Sequence, residues 1–203
     1  MREKSLVRIF DILAAKYNKD LSNKNMLDFF AREGEWQTKH IQDRVETICA
    51  WEINKNFKNK LIYNLPNANI SIGDSFTLSK KCNDRFDIIL IDNPQYRYGK
   101  NLEYCEHFEA LEVCLGLLKS QGIVIFNVKT KPFNYNEKVD WQIIRNNFYD
   151  VCDASSLSEN FIISFYKQYL KERKWNIDYY ILEKRHQEEG LYAFACGVSL
   201  ENN

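Results

Sequence analysis

Short apolar runs recur along the chain at residues 25–30 (NMLDFF), 45–53 (VETICAWEI), 69–74 (NISIGD), 86–92 (FDIILID) and 122–128 (GIVIFNV). Each is bounded by polar residues and is too short for an ordinary helix, so each reads as a buried strand. The segments between them carry helical signals. Residues 35–43 (EWQTKHIQD) have helical length and polarity, and residues 54–66 (NKNFKNKLIYNLP) put Phe57, Leu61 and Leu65 on one face and stop near Pro66. Residues 102–119 place Tyr104, Phe108, Leu111, Leu115 and Leu118 at helical spacing. Strands alternating with crossover helices make a mostly parallel sheet covered on both faces, because parallel neighbours need long connections. Ahead of them, Leu6, Phe10, Leu13 and Tyr17 mark an amphipathic helix over residues 2–18.

The C-terminal part changes character. Residues 139–150 and 158–175 read as helices, and residues 177–184 and 191–200 as two strands whose short joint contains Gly190, which favours an antiparallel hairpin. The expected fold is α/β: a doubly wound, mostly parallel, seven-stranded Rossmann-like sheet ending in that hairpin. One domain over residues 1–203 is expected, with an N-terminal helix (1–20), a core (25–128), two helices (129–176) and the hairpin (177–200).

Composition excludes several alternatives. An apolar fraction of 45%, a charged fraction of 28% and only 7 Gly and 3 Pro describe a globular chain, not a disordered or collagen-like one. No apolar run approaches membrane-spanning length, and the N-terminus lacks a signal-peptide pattern, so a cytoplasmic protein is expected. Cys49, Cys82, Cys105, Cys114, Cys152 and Cys196 include no Cys-x-x-Cys and read as reduced, buried side chains. His40, His107 and His186 are scattered, so no metal is expected. Lys plus Arg and Asp plus Glu balance at 28 each. Residues 129–138 (KTKPFNYNEK) and 167–175 (KQYLKERKW) nevertheless interleave cations with aromatic rings, a mixture suited to phosphates and stacked bases; for the second, a solvated helix face explains the pattern as well.

In an open α/β sheet, ligands bind outside the carboxyl ends of the strands. The first three strands each deliver an acid there: Asp28, Glu52 and Asp74. Glu52, followed by Ile53, stands near the spacing at which a dinucleotide-binding fold places its ribose carboxylate. Asp74, Ser75 and Phe76 offer an acceptor for an exocyclic amine and an aromatic edge for its ring. Asp28 sits below the next turn and orients its N–H groups. The fourth strand ends on Asp92-Asn93-Pro94-Gln95-Tyr96, where amide, carboxylate and phenol groups meet without a glycine.

These strand ends, with LLKSQGIVIF, resemble the class I S-adenosylmethionine-dependent methyltransferases over residues 25–128. Asn93-Pro94-Gln95-Tyr96 resembles the Asn/Asp-Pro-Pro-Tyr motif of members that methylate amino groups. Asp28-Phe29-Phe30 resembles the Asp-x-Phe opening of their cofactor loop, which continues through Ala31, Arg32 and Gly34. The resemblance implies an S-adenosylmethionine-binding core over 25–128 and substrate recognition by 129–176. It implies methyl transfer to a planar amino nitrogen, with Asn93 and Pro94 accepting the amine hydrogens and Tyr96 stacking on the ring. A nucleic-acid base is the favoured acceptor; a protein amide, a small molecule or a catalytically silent binding subunit are alternatives. The chain departs from the family at Arg32, where the first glycine of Gly-x-Gly is expected, and at Gln95, where the second proline is expected. The Arg32 guanidinium would suit the cofactor's carboxylate. A Rossmann dehydrogenase also explains Glu52 but gives no reason for the Asn-Pro-Gln-Tyr segment.

Overall fold

A computed structural model describes residues 5–35, 37–185 and 188–201. The start of the expected first helix (2–4), Trp36 and His186 lie outside the described residues. One sheet organises the chain. Its strands are β1 (Asn25–Asp28), β2 (Thr47–Glu52), β3 (Asn69–Ile72), β4 (Phe86–Ile91), β7 (Leu118–Lys129), β8 (Trp175–Lys184) and β9 (Leu191–Leu200). Their order is β3-β2-β1-β4-β7-β9-β8. The first five are mutually parallel, and β9 is antiparallel to both its neighbours, so the expected seven-stranded sheet with a terminal hairpin is present.

Alternation along the strands makes two cores. Leu27, Ile89, Ile91, Val124 and Phe126 face one layer, built with α4 (Phe108–Leu115), α5 (Val139–Tyr149) and α6 (Glu159–Glu172). Met26, Ile88, Leu90, Ile123 and Ile125 face the other, covered by α1 (Ser5–Tyr17) and α2 (Lys58–Asn64). A strand buried on both faces has no polar side to show, which is why these runs read as continuously apolar.

Two expected helices are otherwise. Residues 35–43 form no α-helix; the described part makes short 3-10 turns at Thr38–His40 and Gln42–Arg44. Its polar side chains are held by tertiary partners instead. Thr38 Oγ1 donates to Asp28, and Gln37 accepts from the Leu6 N–H and donates to Ser5 Oγ. The helix expected over 102–119 is confined to α4. Tyr104 and Cys105 form β6, paired antiparallel with β5 (Arg97–Tyr98), and Leu118 opens β7. Positive φ at Gly99 (93°), Leu102 (55°) and Glu106 (49°) turns the chain too sharply for a helix to begin earlier. Of the cysteines, Cys105, Cys114 and Cys196 are buried as expected; Cys152 is exposed, and Cys49 and Cys82 are half-buried. Among the described residues, no helix is long and apolar enough to cross a membrane.

Candidate active site

The loops beyond the carboxyl ends of β1 to β4 enclose a cavity of about 730 Å³. It brings together Phe30, Arg32, Glu52, Ile53, Asp74, Ser75, Phe76, Asp92, Asn93 and Pro94. The β5–β6 hairpin adds Tyr98, Gly99 and Tyr104, and the β8–β9 connection adds Arg185 and Glu188.

The first turn is built on positive φ. Arg32 (50°) and Gly34 (69°) both adopt the left-handed conformation, and a Cβ on Gly34 would approach Leu65 to 2.9 Å. The turn is held by Glu52: Oε2 accepts from the Arg32 N–H at 2.7 Å and Oε1 from the Asn54 N–H at 2.6 Å. Each oxygen keeps acceptor capacity on the cavity side. Asp28 lies beneath, 2% exposed. One of its oxygens accepts from Thr38 Oγ1, and the Phe30 N–H is directed at the buried carboxylate. Burial pushes the Asp28 carboxyl up to about 7; the Thr38 hydrogen bond opposes this, and the charges of Asp92 and Glu52 add to it. Phe29 and Ala31 are buried behind the turn, their N–H groups donating to Leu90 and Trp51 carbonyls.

Asp74 caps the short helix α3 (Ser75–Ser79), accepting from the Phe76 and Thr77 N–H groups, and Ser75 Oγ ties that cap to the Phe29 carbonyl at 2.6 Å. The Phe76 ring is stacked on Tyr104 at 3.9 Å and meets Phe29 edge-on. Tyr98 packs above, its hydroxyl buried without a partner; burial pushes the phenol far up, so it stays a proton donor. The hairpin is therefore an aromatic roof over the side expected to receive an adenine.

The opposite wall is the end of β4. Asn93 is 3% exposed and its amide is oriented at both ends: Oδ1 accepts from the Asn127 N–H at 3.0 Å, and Nδ2 donates to the Pro94 carbonyl at 3.1 Å. Asn127 also donates from Nδ2 to Asp92 Oδ1, and the Arg185 guanidinium bridges Asp92 (2.8 Å) and Asn127 (2.7 Å). A partly buried ion pair thus fixes the strand end from which Asn93 projects. Tyr96 is not on the cavity wall. Its ring meets Trp141 edge-on at 4.9 Å and carries the Lys138 ammonium 3.9 Å from its centre, in a cluster completed by Phe133.

Of the basic stretches, Lys129 is turned inward, paired with Glu188 and pushed down to about 8 by burial, with Glu106 opposing. Lys131 and Phe133 are exposed beside it. The lysines at the end of α6 are elsewhere. Because β8 runs parallel to β4 and begins at Trp175, Lys171 and Lys174 stand at the opposite edge of the sheet, on the order of 30 Å from the cavity by strand rise. Arg185, Glu188 and Tyr98 were missed by reading the sequence. Arg185 had a signal: it follows a strand parallel to the first five, so its end shares their edge.

No protein-family model matches the sequence, and no curated protein matches it. The fold is nevertheless that of known methyltransferases. The chain is similar to TYW2 of M. jannaschii, solved in complex with AdoMet (TM-score 0.56, 13% identity, 97% of this chain and 76% of that one). It is similar also to an rRNA methylase from Streptococcus thermophilus (TM-score 0.54, 12% identity, 100% and 99%). The tRNA m1G37 methyltransferase of M. jannaschii matches with TM-score 0.56 and 12% identity over 97% of this chain and 50% of its own.

Proposed function

We propose that the chain is an S-adenosylmethionine-dependent methyltransferase acting on a planar amino nitrogen, the exocyclic amine of a DNA or RNA base. The observation that carries this reading is the oriented amide of Asn93 on a cavity whose other walls present Glu52 and Asp74, with Asp28 buried beneath them. Three of the cofactor's outward groups are donors: an ammonium, a ribose diol and an adenine amine. The walls offer acceptors in matching kind, so the residues present fit it. Asp28 would hold the ammonium, Glu52 the diol, and Asp74 the adenine amine, with Phe30, Ile53 and Phe76 against the ring and Arg32 near the carboxylate. Bound there, it would supply an electrophilic methyl group.

The protein's own contribution is to free and aim a lone pair. A ring amine is a poor nucleophile because its lone pair is delocalised. Asn93 Oδ1 and the Pro94 carbonyl each already accept one hydrogen bond, and each retains a second acceptor position for an amine hydrogen. Taking both hydrogens favours a tetrahedral nitrogen, so catalysis is positioning and electrostatics without a covalent intermediate. A base in a duplex must first be flipped out. The ring cluster of Tyr96, Phe133 and Trp141, with Lys138 over its rings and Lys131 exposed two residues before Phe133, supports stacking and phosphate contact beside this wall.

A second reading, a catalytically silent subunit, is favoured by one observation: Lys138 covers the Tyr96 ring that would stack on the acceptor. Calorimetry with S-adenosylmethionine and S-adenosylhomocysteine is the first test, and absence of heat from folded protein would sink the proposal. Methyl transfer by the purified protein alone would exclude the silent subunit.

A further inference from the structure

Three rings meet around one ammonium beside the Asn93 wall. Lys138 Nζ lies 3.9 Å from the centre of the Tyr96 ring, 4.9 Å from that of Phe133 and 5.7 Å from that of Trp141. Trp141 is buried and meets both other rings edge-on, while Tyr96 and Lys138 are half-buried and Phe133 is 46% exposed. The cluster is therefore open to solvent at the rings that Lys138 covers. Cations around it are tied to carboxylates: Arg97 to Asp140, Lys129 to Glu188, Lys131 to Glu189 and Arg145 to Glu106. Among the described residues, no carboxylate pairs with Lys138, and its ammonium is held by the rings. Its backbone is fixed, since the Lys138 N–H donates to the Tyr135 carbonyl and the Lys138 carbonyl accepts from the Gln142 N–H. Clearing the rings takes only a side-chain rotation.

A cation over an exposed ring is retained by roughly a factor of two to five. A base stacked on an aromatic side chain gains about five- to a hundredfold, so a base displaces the ammonium. The displaced ammonium finds a new partner in the phosphate that the base brings with it. Resting on the methyltransferase reading above, we infer that Lys138 is an exchangeable occupant of the acceptor's stacking site. It covers Tyr96 in the free protein and moves to a backbone phosphate when a base takes the ring. The site then takes its base as part of a polynucleotide, because a free nucleoside displaces the ammonium and offers it no anion in return. The exchange joins two contacts that a fixed lysine would make independently: the phosphate contact forms only where a base is seated. Cover of the Tyr96 ring is then a resting state and not a loss of the site.

The test measures binding of ten-residue oligocytidylates, as RNA and as DNA, and of a ten-residue deoxyribose-phosphate strand without bases, by fluorescence anisotropy between about 50 and 200 mM salt. In the wild type, the fall of log K with log salt is expected to be steeper by about 0.7 on the base-bearing strands than on the baseless one, the increment of one single-strand phosphate contact. Lys138→Ala should remove that difference by lowering the base-bearing slope while leaving the baseless slope unchanged. Lys138→Arg, which keeps the charge, should preserve it. Equal slopes in the wild type, a difference that Lys138→Ala retains, or a baseless slope that Lys138→Ala lowers equally would overturn the exchange and leave the methyltransferase reading standing. Binding of no strand, by protein that takes up the cofactor, would overturn the nucleic-acid reading and this inference with it.

Discussion

Asp28→Asn separates the cost of burying this carboxylate from its proposed use. The native Asp28 carboxyl lies near 7 against an ordinary 3.8, mainly through burial. Below the ordinary value the group is protonated whether the chain is folded or not. As pH rises towards 7 the unfolded chain gives up its proton first, so the stability contributed by protonated Asp28 is lost progressively and is absent above about 7. Between about pH 5.5 and 8 this amounts to a loss of roughly 2 kcal/mol, or about 4–8 °C in melting temperature for a chain of this size. An asparagine keeps an acceptor for Thr38 and does not ionise. The stability of the variant relative to the wild type should therefore rise by about 2 kcal/mol between pH 5.5 and pH 8. Binding should move the other way. If the cofactor's ammonium pairs with the carboxylate, affinity falls at least about tenfold in Asp28→Asn, roughly 1.4 kcal/mol. In the wild type, binding below pH 7 should release a proton, seen as a dependence of the calorimetric heat on buffer ionisation. Urea unfolding at the two pH values, with titration of both proteins, measures every quantity. Parallel stability profiles would refute the account of Asp28 burial, and unchanged affinity would refute its place in the cofactor site.

Three further outcomes follow from the same geometry. Asn93→Ala should cost on the order of 2–4 kcal/mol of transition-state stabilisation, read as a fall of at least about tenfold in single-turnover methyl transfer, with cofactor titration unchanged. Arg145→Met leaves Glu106, buried and paired with Arg145, without its counter-charge, and should cost roughly 3–5 kcal/mol in urea unfolding. Lys131→Ala with Lys138→Ala should reduce the salt dependence of nucleic-acid binding by about two in slope, whereas Lys171→Ala with Lys174→Ala, at the far edge of the sheet, should leave it unchanged.

The fold was legible because its strands are buried on both faces: apolar runs such as 86–92 have one structural use, and the terminal hairpin announced itself at Gly190. What misled was helical spacing without a helical backbone. Tyr104 and Leu118 fall in register with Phe108 and Leu111, yet the positive φ at Glu106 starts the helix only afterwards and leaves Tyr104 to stack on Phe76. Periodicity reports which side chains want burial and says little about turns made by residues other than glycine. The strand-end acids could be read one by one, since each follows its strand directly. Arg185 and Asn127 could not, because their bond across the sheet joins strands 58 positions apart. Nor could sequence show that Lys129, in a run that looks uniformly basic, turns inward to Glu188 while Lys131 does not.

Arg32 tests whether the departures from the family pattern degrade the site or specialise it. Its backbone already has the left-handed conformation for which glycine is usual (φ 50°), at a cost of about 1–2 kcal/mol for a residue with a Cβ. The Arg32 N–H holds Glu52, a bond that glycine would make equally well. The reason for arginine must therefore lie in its side chain, which lines the cavity. Arg32→Gly relieves the backbone but frees the unfolded chain, so the fold should be retained with stability within about 1 kcal/mol of wild type. If the guanidinium receives the cofactor's carboxylate, affinity for S-adenosylmethionine should fall by roughly tenfold, as expected for a charge-assisted hydrogen bond worth about 1.5–3 kcal/mol that is partly exposed, and Arg32→Lys should recover part of the loss. A decarboxylated cofactor analogue should bind wild type and Arg32→Gly alike. Tighter binding by Arg32→Gly would mean that the side chain obstructs a turn once built for closer approach, and would shift the balance towards a subunit that has kept the fold and lost the chemistry.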